Sequence, residues 1–150
     1  MCHCCGASLN PGSECIRLVA ISIVAALAWT DGAIVSARAE TINVYDDHGG
    51  SVAEYDARWS ELAARGANVR VVGPCQSACT VLLAHIPNER ICVTPQASFG
   101  FHLAHRPDAT ATLWAGYNAG IREWINARGG LTADFKWMRA PDTYRFSRKC

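Results

Sequence analysis

Three short stretches of the sequence hold residues that could carry out nucleophilic chemistry. The first is HGGSV at 48–52, where paired glycines can adopt unusual φ angles and bring backbone N–H groups close to a substrate carbonyl. The second is GPCQSACT at 73–80, in which Ser77 follows a Gly-Pro break. The third is SFGFH at 98–102, which ends in His102. A serine hydroxyl, a histidine base and exposed amides are the components of a serine hydrolase site.

Each stretch also has a purely structural interpretation. HGGSV can be a plain turn followed by Ser51 as a helix N-cap, and Ser77 can be an N-cap where a helix starts. His102 has apolar neighbours, and a histidine in that setting is commonly a hydrogen-bonded core residue. The order of the three stretches, rather than any one of them, points to a site.

The pattern around these stretches predicts strands that alternate with helices. Runs rich in β-branched and aromatic residues predict strands at 41–46, 69–73, 90–94 and 98–102. Such an alternation favours a single small α/β domain with right-handed βαβ crossovers and a mainly parallel sheet. In such sheets, functional residues gather at the carboxyl ends of the strands, where the three stretches fall.

Helices are predicted from apolar residues at helical spacing. Val52, Tyr55, Trp59 and Leu62 mark the first helix, and Gly66 ends it. The later helices are predicted at 77–85, across one long amphipathic stretch from 113 to 125 that stops at Gly129-Gly130, and over 132–139.

The order of a Gly-Gly loop, a serine at a helix start and a histidine after the next strand resembles the Clp-type serine peptidase and crotonase superfamily. HGGSV is similar to the oxyanion loop of that superfamily, and TPQASFGFHLAH is similar to the segment that ends in its catalytic histidine. The 25 residues from Ser77 to His102 also suit the Clp-type peptidases.

Most of the chain after residue 48 more closely resembles a group of small exported bacterial proteins described as Clp-like or predicted periplasmic. The shared elements run from the core G-x-C-x-S-A-C-T to a terminal cysteine, and here they are Gly73 to Thr80, Arg90 to Pro95, Gly100 to His102, Trp124-Ile125, Gly129 to Leu131 and Cys150.

The resemblance implies a Clp/crotonase-like α/β fold of repeated ββα or βαβ units, and it implies a role for each matching residue. Ser77 would be the nucleophile, His102 the general base, and the amides of Gly50 and Ala78 the oxyanion hole. In Clp-type peptidases an acidic residue orients the histidine, and the candidates here are Asp134 and Asp142, although neither has a matching context. A dyad, a water, a backbone carbonyl or a site without catalysis are the alternatives.

The N-terminal segment has the pattern of a secretory leader. Arg17 precedes the apolar run 18–30, which is shorter than the roughly 20 residues that span a bilayer, and Ala37 and Ala39 provide a small-residue cleavage site. We therefore expect a signal peptide at 1–39, an exported domain at 40–150 in the periplasm or outside the cell, and contact with a membrane only during export. An uncleaved anchor or a buried helix is the alternative.

Cleavage at that position leaves four cysteines, Cys75, Cys79, Cys92 and Cys150. In an oxidising compartment they predict one or two disulfides, with three full pairings open. We favour bridges that tie the loop around Ser77 to another element, because Gly73-Pro74 makes a helical Cys75–Cys79 pair doubtful. Cys79 could instead be the nucleophile, with His102 as its base.

Composition excludes some partners. The chain has 150 residues, and Lys+Arg at 14 against Asp+Glu at 13 offers no basic surface for nucleic acid. The stretch CHCC at 2–5 could bind a metal ion, but the exported part has no second ligand pair with the spacing of a zinc finger. We therefore expect no metal and no cofactor.

The sequence thus predicts an exported serine hydrolase, most similar to a peptidase, with a peptide or acyl substrate. The alternative is a non-catalytic Clp-like module that binds a peptide or protein in the same groove. A homo-oligomer is compatible with either.

Overall fold

The strand predicted after residue 40 forms at the edge of a parallel sheet in the computed structural model, which describes residues 39–150. Residues 1–38, which hold nearly all of the predicted leader, lie outside the described residues. The strands are β1 (Thr41–Val44), β2 (Asn68–Val71), β3 (Pro74–Gln76), β4 (Ile91–Val93), β5 (Ser98–Phe101), β6 (Lys136–Arg139) and β7 (Arg148–Lys149).

Four strands form the larger sheet in the order β1-β2-β4-β7, and every neighbouring pair is parallel. Val69 and Val71 of β2 are buried while Arg70 between them is exposed, as the two-residue repeat of a strand requires. Cys92 is the register partner of Arg70 and therefore shares its outer face, where it is bonded to Cys150. This disulfide ties β4 to the chain just after β7.

The start of β1 is held by the residue before it. The main-chain oxygen of Glu40 accepts a hydrogen bond of 2.8 Å from the amide of Asn68, which opens β2. The Glu40 carboxylate also pairs with the guanidinium of Arg65 at 2.6 Å, although both side chains are about half exposed. Residue 40 is therefore part of the folded sheet edge.

The smaller sheet has the order β3-β5-β6 and carries the stretches of chemical interest. β3 is parallel to β5, and β6 is antiparallel to β5. The domain is thus mixed α/β, and its larger sheet is parallel throughout, in agreement with the mainly parallel sheet that the alternation of strands and helices predicts. The smaller sheet with its antiparallel strand was not predicted.

The helices are α1 (Val52–Ala64), α2 (Leu82–His85), α3 (Pro107–Gly116) and α4 (Ala119–Asn126). The Ser51 hydroxyl accepts from the Glu54 amide at 3.4 Å at the start of α1, which confirms Ser51 as an N-cap. A short 3₁₀ helix, Ser77–Val81, precedes α2, so the predicted helix over 77–85 is α-helical only in its last turn.

Two helix predictions are wrong. The long helix is divided, because Tyr117 is extended and the Asn118 side chain caps a new helix by accepting from the Ile121 amide at 2.9 Å. The segment 132–139 holds β6 instead of a helix. Its short apolar pattern fits either structure, and pairing of Met138 with Phe99 across the sheet selects the strand.

The core lies between the sheets and the helices. Its largest fully buried side chains are Trp59, Tyr117, Phe99, Phe101, Leu82 and Ile91. Within residues 39–150, no helix has both the length and the apolar character needed to cross a membrane.

Candidate active site

Ser77 lies at the junction between β3 and the 3₁₀ helix that follows it. Its φ of +56° makes it the one non-glycine residue with positive φ among the described residues. This conformation costs an L-residue about 1–2 kcal/mol, and such strain is concentrated at functional sites. Gln76, and not Ser77, is the N-cap residue, so capping does not occupy the Ser77 hydroxyl.

His102 directly follows β5, and its Nε2 lies 2.8 Å from Ser77 Oγ. The sheet explains this proximity, because β3 and β5 are parallel neighbours in which Gln76 is the register partner of Gly100. The residues that leave the two strands at their carboxyl ends therefore emerge side by side. The interpretation of His102 as a histidine satisfied within the core does not hold, since its side chain is only partly buried and bonds Ser77.

Burial, and then repulsion from the nearby His105, lower the pKa of His102 below 6.5. The imidazole is therefore neutral at neutral pH. In the tautomer with the proton on Nδ1, Nε2 accepts the hydrogen bond that the Ser77 hydroxyl donates. This is the protonation state that a general base requires.

The Gly-Gly loop is fixed against β3 by Asp47. The Asp47 amide donates to the Pro74 oxygen, and the Asp47 oxygen accepts from the Gln76 amide, each at 2.9 Å. Its carboxylate accepts from the Gly49 amide at 2.9 Å and from the Tyr55 hydroxyl at 2.6 Å. Burial and the Asp47 carboxylate raise the pKa of Tyr55 to about 12, so Tyr55 remains a donor.

Gly49 lies directly against the turn that holds Ser77. A Cβ at Gly49 would be 2.7 Å from the Gln76 oxygen, 2.9 Å from the Ala78 nitrogen and 3.0 Å from the Ser77 Cβ. The φ of Gly49 is also positive, at +78°. Only glycine lacks the Cβ that would clash here and also adopts a positive φ without strain. A glycine at position 49 therefore lets the loop pack against the turn that holds Ser77.

The two predicted oxyanion amides are both unpaired within residues 39–150. Neither the Gly50 amide nor the Ala78 amide donates to a described residue. Gly50 lines the same cleft as Ser77 and His102, and Ala78 follows Ser77 in the turn against which Gly49 packs. Free amides beside a serine hydroxyl are the donors that an oxyanion requires.

The cysteines around Ser77 are bonded to each other. Cys75 and Cys79 form a disulfide across four residues, and both are fully buried. Cys92 pairs with Cys150, so the domain has two disulfides where the sequence predicts one or two. The preference for a bridge from this loop to another element is wrong. A bend at Ser77, instead of a regular helix, brings the two sulfurs together.

A further contact that the sequence did not reveal holds the same turn. The buried Thr80 hydroxyl donates to the Ser77 main-chain oxygen at 2.6 Å and is 2.7 Å from the Tyr117 hydroxyl. Tyr117 lies in the break between α3 and α4, so this break serves the site. The extended conformation of one buried tyrosine leaves no signal in the periodicity of the sequence.

Neither predicted acid is brought to His102. The Asp142 carboxylate accepts from Trp124 Nε1 at 2.7 Å and from the Arg128 guanidinium at 3.1 Å. Asp134 is exposed and offers only its main-chain oxygen, to Thr132. Among the described residues, none forms a hydrogen bond with His102 Nδ1. The ring of Phe135 instead lies over the imidazole, with 4.2 Å between the ring centroids.

A cleft of about 570 Å³ opens at Ser77 and His102. Its walls include Gly50, His105 just before α3, and Asp108 in the first turn of α3. This volume lies within the range of small-molecule sites. In the part of the chain that the structure describes, no three His, Cys, Asp or Glu side chains are grouped to hold a metal ion.

No protein-family model matches the chain, and no curated protein matches it.

Proposed function

We propose that this protein is an exported serine hydrolase in which Ser77 attacks an acyl carbon with His102 as its base. The observation that carries the proposal is the 2.8 Å contact between Ser77 Oγ and His102 Nε2 at the wall of a cleft. The positive φ of Ser77 supports it, because a sharp strand-to-helix turn is how other hydrolases present a nucleophilic serine.

The residues have separate tasks in the reaction. As Ser77 Oγ attacks the acyl carbon, its proton moves to His102 Nε2, and the carbonyl oxygen becomes an oxyanion near the amides of Gly50 and Ala78. His102 then returns the proton to the leaving group, which departs and leaves an acyl-enzyme. Water, activated in turn by His102, completes the hydrolysis.

Export of the protein is part of the proposal. Two disulfides within a domain of this size are typical of an oxidising compartment. The predicted leader agrees with that compartment, as does the similarity to small exported Clp-like proteins. A peptide or another acyl compound is the substrate class that the proposed chemistry requires.

A second function is favoured because no carboxylate within residues 39–150 bonds His102. In hydrolases that use a triad of serine, histidine and acid, loss of the orienting acid can lower the catalytic rate on the order of 10⁴-fold. A Clp-like module that binds a peptide in the cleft without cleaving it would need no acid. It would also need no free hydroxyl at Ser77, and labelling chemistry can separate the two functions.

The test is labelling of the oxidised, folded protein with a fluorophosphonate probe, which reacts with activated serines. We expect labelling at Ser77, located by mass spectrometry of the modified peptide, and none in Ser77→Ala. His102→Ala should react much more slowly, because the hydroxyl then lacks a base. In the double variant the two losses should not add, since both residues act in one step.

Ser147→Ala is the matched control, because Ser147 is a buried serine far along the chain whose hydroxyl has no hydrogen-bond partner among the described residues. Its labelling should equal that of the wild type. A folded wild-type protein that does not react with the probe, but binds peptides in a manner blocked by filling the cleft, would establish the binding function instead.

A further inference from the structure

The His102 imidazole lies between the nucleophile and an aromatic ring. Its Nε2 meets Ser77 Oγ on one side, while one face of the imidazole is covered by Phe135 at 4.2 Å between centroids and 32° between planes. A tilted stack of this kind restricts rotation of the imidazole about its Cβ–Cγ bond. The position of the base therefore depends on where Phe135 is held.

Phe135 is itself held by β6. Its ring stacks on Trp137 with 5.4 Å between centroids and 30° between planes. The Trp137 indole lies against the backbone of β5, since a Cβ at Gly100 would be only 2.9 Å from that ring. A hydrogen bond of 2.8 Å from the Leu103 amide to the Thr132 oxygen joins the two segments on the other side of His102.

The charged neighbours of Phe135 in the sequence do not take over this contact. Lys136 donates to the Thr132 hydroxyl at 3.1 Å, and Asp134 is exposed to solvent. On the segment that follows His102, His105 repels positive charge on the imidazole. Two carboxylates line the same cleft, but Asp56 is bonded to His85 Nε2 at 2.8 Å and Asp108 to the Arg106 guanidinium at 2.7 Å. Apart from Ser77 Oγ, the ring of Phe135 is thus the described contact of His102 that can favour its protonated form.

The reaction makes a cation at this position. When the Ser77 proton reaches Nε2, the imidazole becomes an imidazolium, and in a triad an acidic side chain stabilises that charge. An aromatic ring carries negative potential on its face and attracts cations that lie over it. Phe135 covers the imidazole in the geometry that this attraction requires.

We propose, on the basis of the hydrolase function above, that Phe135 is a positioning residue that orients the His102 imidazole and stabilises its protonated form through the face of its ring. It thereby carries out, without a hydrogen bond, the two tasks that an acidic side chain performs in a triad. His102 Nδ1, which no described residue bonds, is left to water.

The first experiment compares variants of one side chain. Phe135→Leu keeps apolar cover but removes the ring face, and Phe135→Tyr keeps the face. We expect the maximal rate of fluorophosphonate labelling to fall about 3- to 30-fold in Phe135→Leu, with the binding constant of the probe unchanged. Phe135→Tyr should retain about the wild-type rate.

Tyr45→Leu is the matched control, because Tyr45 is an aromatic residue with 65% of its surface exposed and no described stacking partner. It should label as the wild type does. Labelling of Phe135→Leu at the wild-type rate would overturn the proposal, and so would an equal loss in Phe135→Leu and Phe135→Tyr.

A second measurement does not depend on catalysis. NMR titration of the His102 ring should give a pKa lower in Phe135→Leu than in the wild type, because cover remains while the attraction for the imidazolium is lost. A pKa that is unchanged or raised would show that Phe135 only covers the ring. This titration gives its answer even if the wild type fails to react with the probe, which separates failure of this proposal from failure of the proposed function.

Should Phe135→Leu alter the fold, as judged by circular dichroism and melting, a pentafluorophenyl side chain at the same position keeps the shape of the ring and reverses its quadrupole. That substitution should lower both the labelling rate and the pKa of His102. No change in either quantity would overturn the proposal.

Discussion

Ser77 has a backbone conformation that its side chain disfavours. A serine suits the proposed chemistry at this position but costs stability. The φ of +56° is accessible to glycine without penalty, whereas serine and alanine share the same steric cost. The Cβ that carries the hydroxyl at this position therefore lowers stability. The disulfide from Cys75 to Cys79 and the Thr80 hydrogen bond surround the residue and offset that cost locally.

We predict that Ser77→Gly is more stable than Ser77→Ala, by about 0.5–1 kcal/mol. The relief of strain, about 1–2 kcal/mol, is partly offset by the greater freedom of glycine in the unfolded chain. Denaturant unfolding of both variants measures the difference, and neither should be labelled by the probe. If the alanine variant is clearly the more stable, then Ser77 does not have a positive φ in solution.

The pH dependence of labelling follows from the environment of His102. Burial and His105 lower its pKa, so the neutral base persists below pH 6.5 and is lost only as the pH falls through the lowered value. We therefore expect the acid limb of the rate profile to have its midpoint below pH 6.5. Rates measured from pH 4 to 8 would contradict this if the midpoint lay above the ordinary value.

His105→Asn should move that midpoint upward, because one of the two causes of the lowered pKa is removed while burial remains. The maximal rate at higher pH should change little. A midpoint that stays in place would assign the whole effect to burial.

At the scale of elements, the site depends on one close approach between the Gly-Gly loop and the turn after β3. Asp47 sets the loop position through its main chain, which pairs with β3, and through its carboxylate, which bonds the Gly49 amide. Because a Cβ at Gly49 would overlap backbone atoms of Gln76 and Ala78, no flexible side chain can yield to it.

We predict that Gly49→Ala destabilises the domain by more than the 1–2 kcal/mol of its positive φ and strongly reduces labelling. Gly66→Ala is the matched control. Gly66 has nearly the same φ, +77°, but a Cβ there would meet only the Arg90 guanidinium, at 3.7 Å. It should show the conformational cost alone and keep the wild-type labelling rate. Equal effects of the two substitutions would mean that the close contact is not needed.

The elements also show what a sequence can reveal. Strands β1, β2, β4 and β5 and the Ser51 cap follow from local patterns, because β-branched runs and capping side chains act within a few residues. β6 does not, since its four residues become a strand through pairing with β5. The contact from Phe135 to His102 depends on that pairing and was missed with it. The distance from Ser77 to His102 likewise arises from the register of β3 and β5.

At the scale of the whole molecule, the two disulfides act on different lengths of chain. Cys75–Cys79 closes a loop of four residues, and Cys92–Cys150 spans 58. In the chain-entropy description, the first stabilises the fold by about 2 kcal/mol and the second by about 4 kcal/mol. The short loop contains Ser77, whereas the disulfide that closes the long loop joins β4 to the residue after β7 on the outer face of the larger sheet.

We predict opposite orders of effect when each pair is replaced by alanine. Cys92→Ala with Cys150→Ala should reduce the free energy of unfolding more, while Cys75→Ala with Cys79→Ala should reduce the labelling rate more. Denaturant unfolding and probe kinetics on the same two proteins measure both quantities. If the pair that is more damaging to stability is also the more damaging to labelling, the short disulfide has no separate role at Ser77.

The hydrogen bond from the Asn68 amide to the Glu40 main-chain oxygen bears on the order of two events, the proposed cleavage of the leader and the pairing of β1 with β2. The proposed leader ends at Ala39. A processing peptidase would bind the residues on either side of the Ala39–Glu40 peptide bond in an extended form. The same backbone cannot occupy the peptidase and pair with β2 at once. The proposed cleavage would therefore have to come before β1 pairs with β2, and a precursor that folds first would protect the proposed leader from removal.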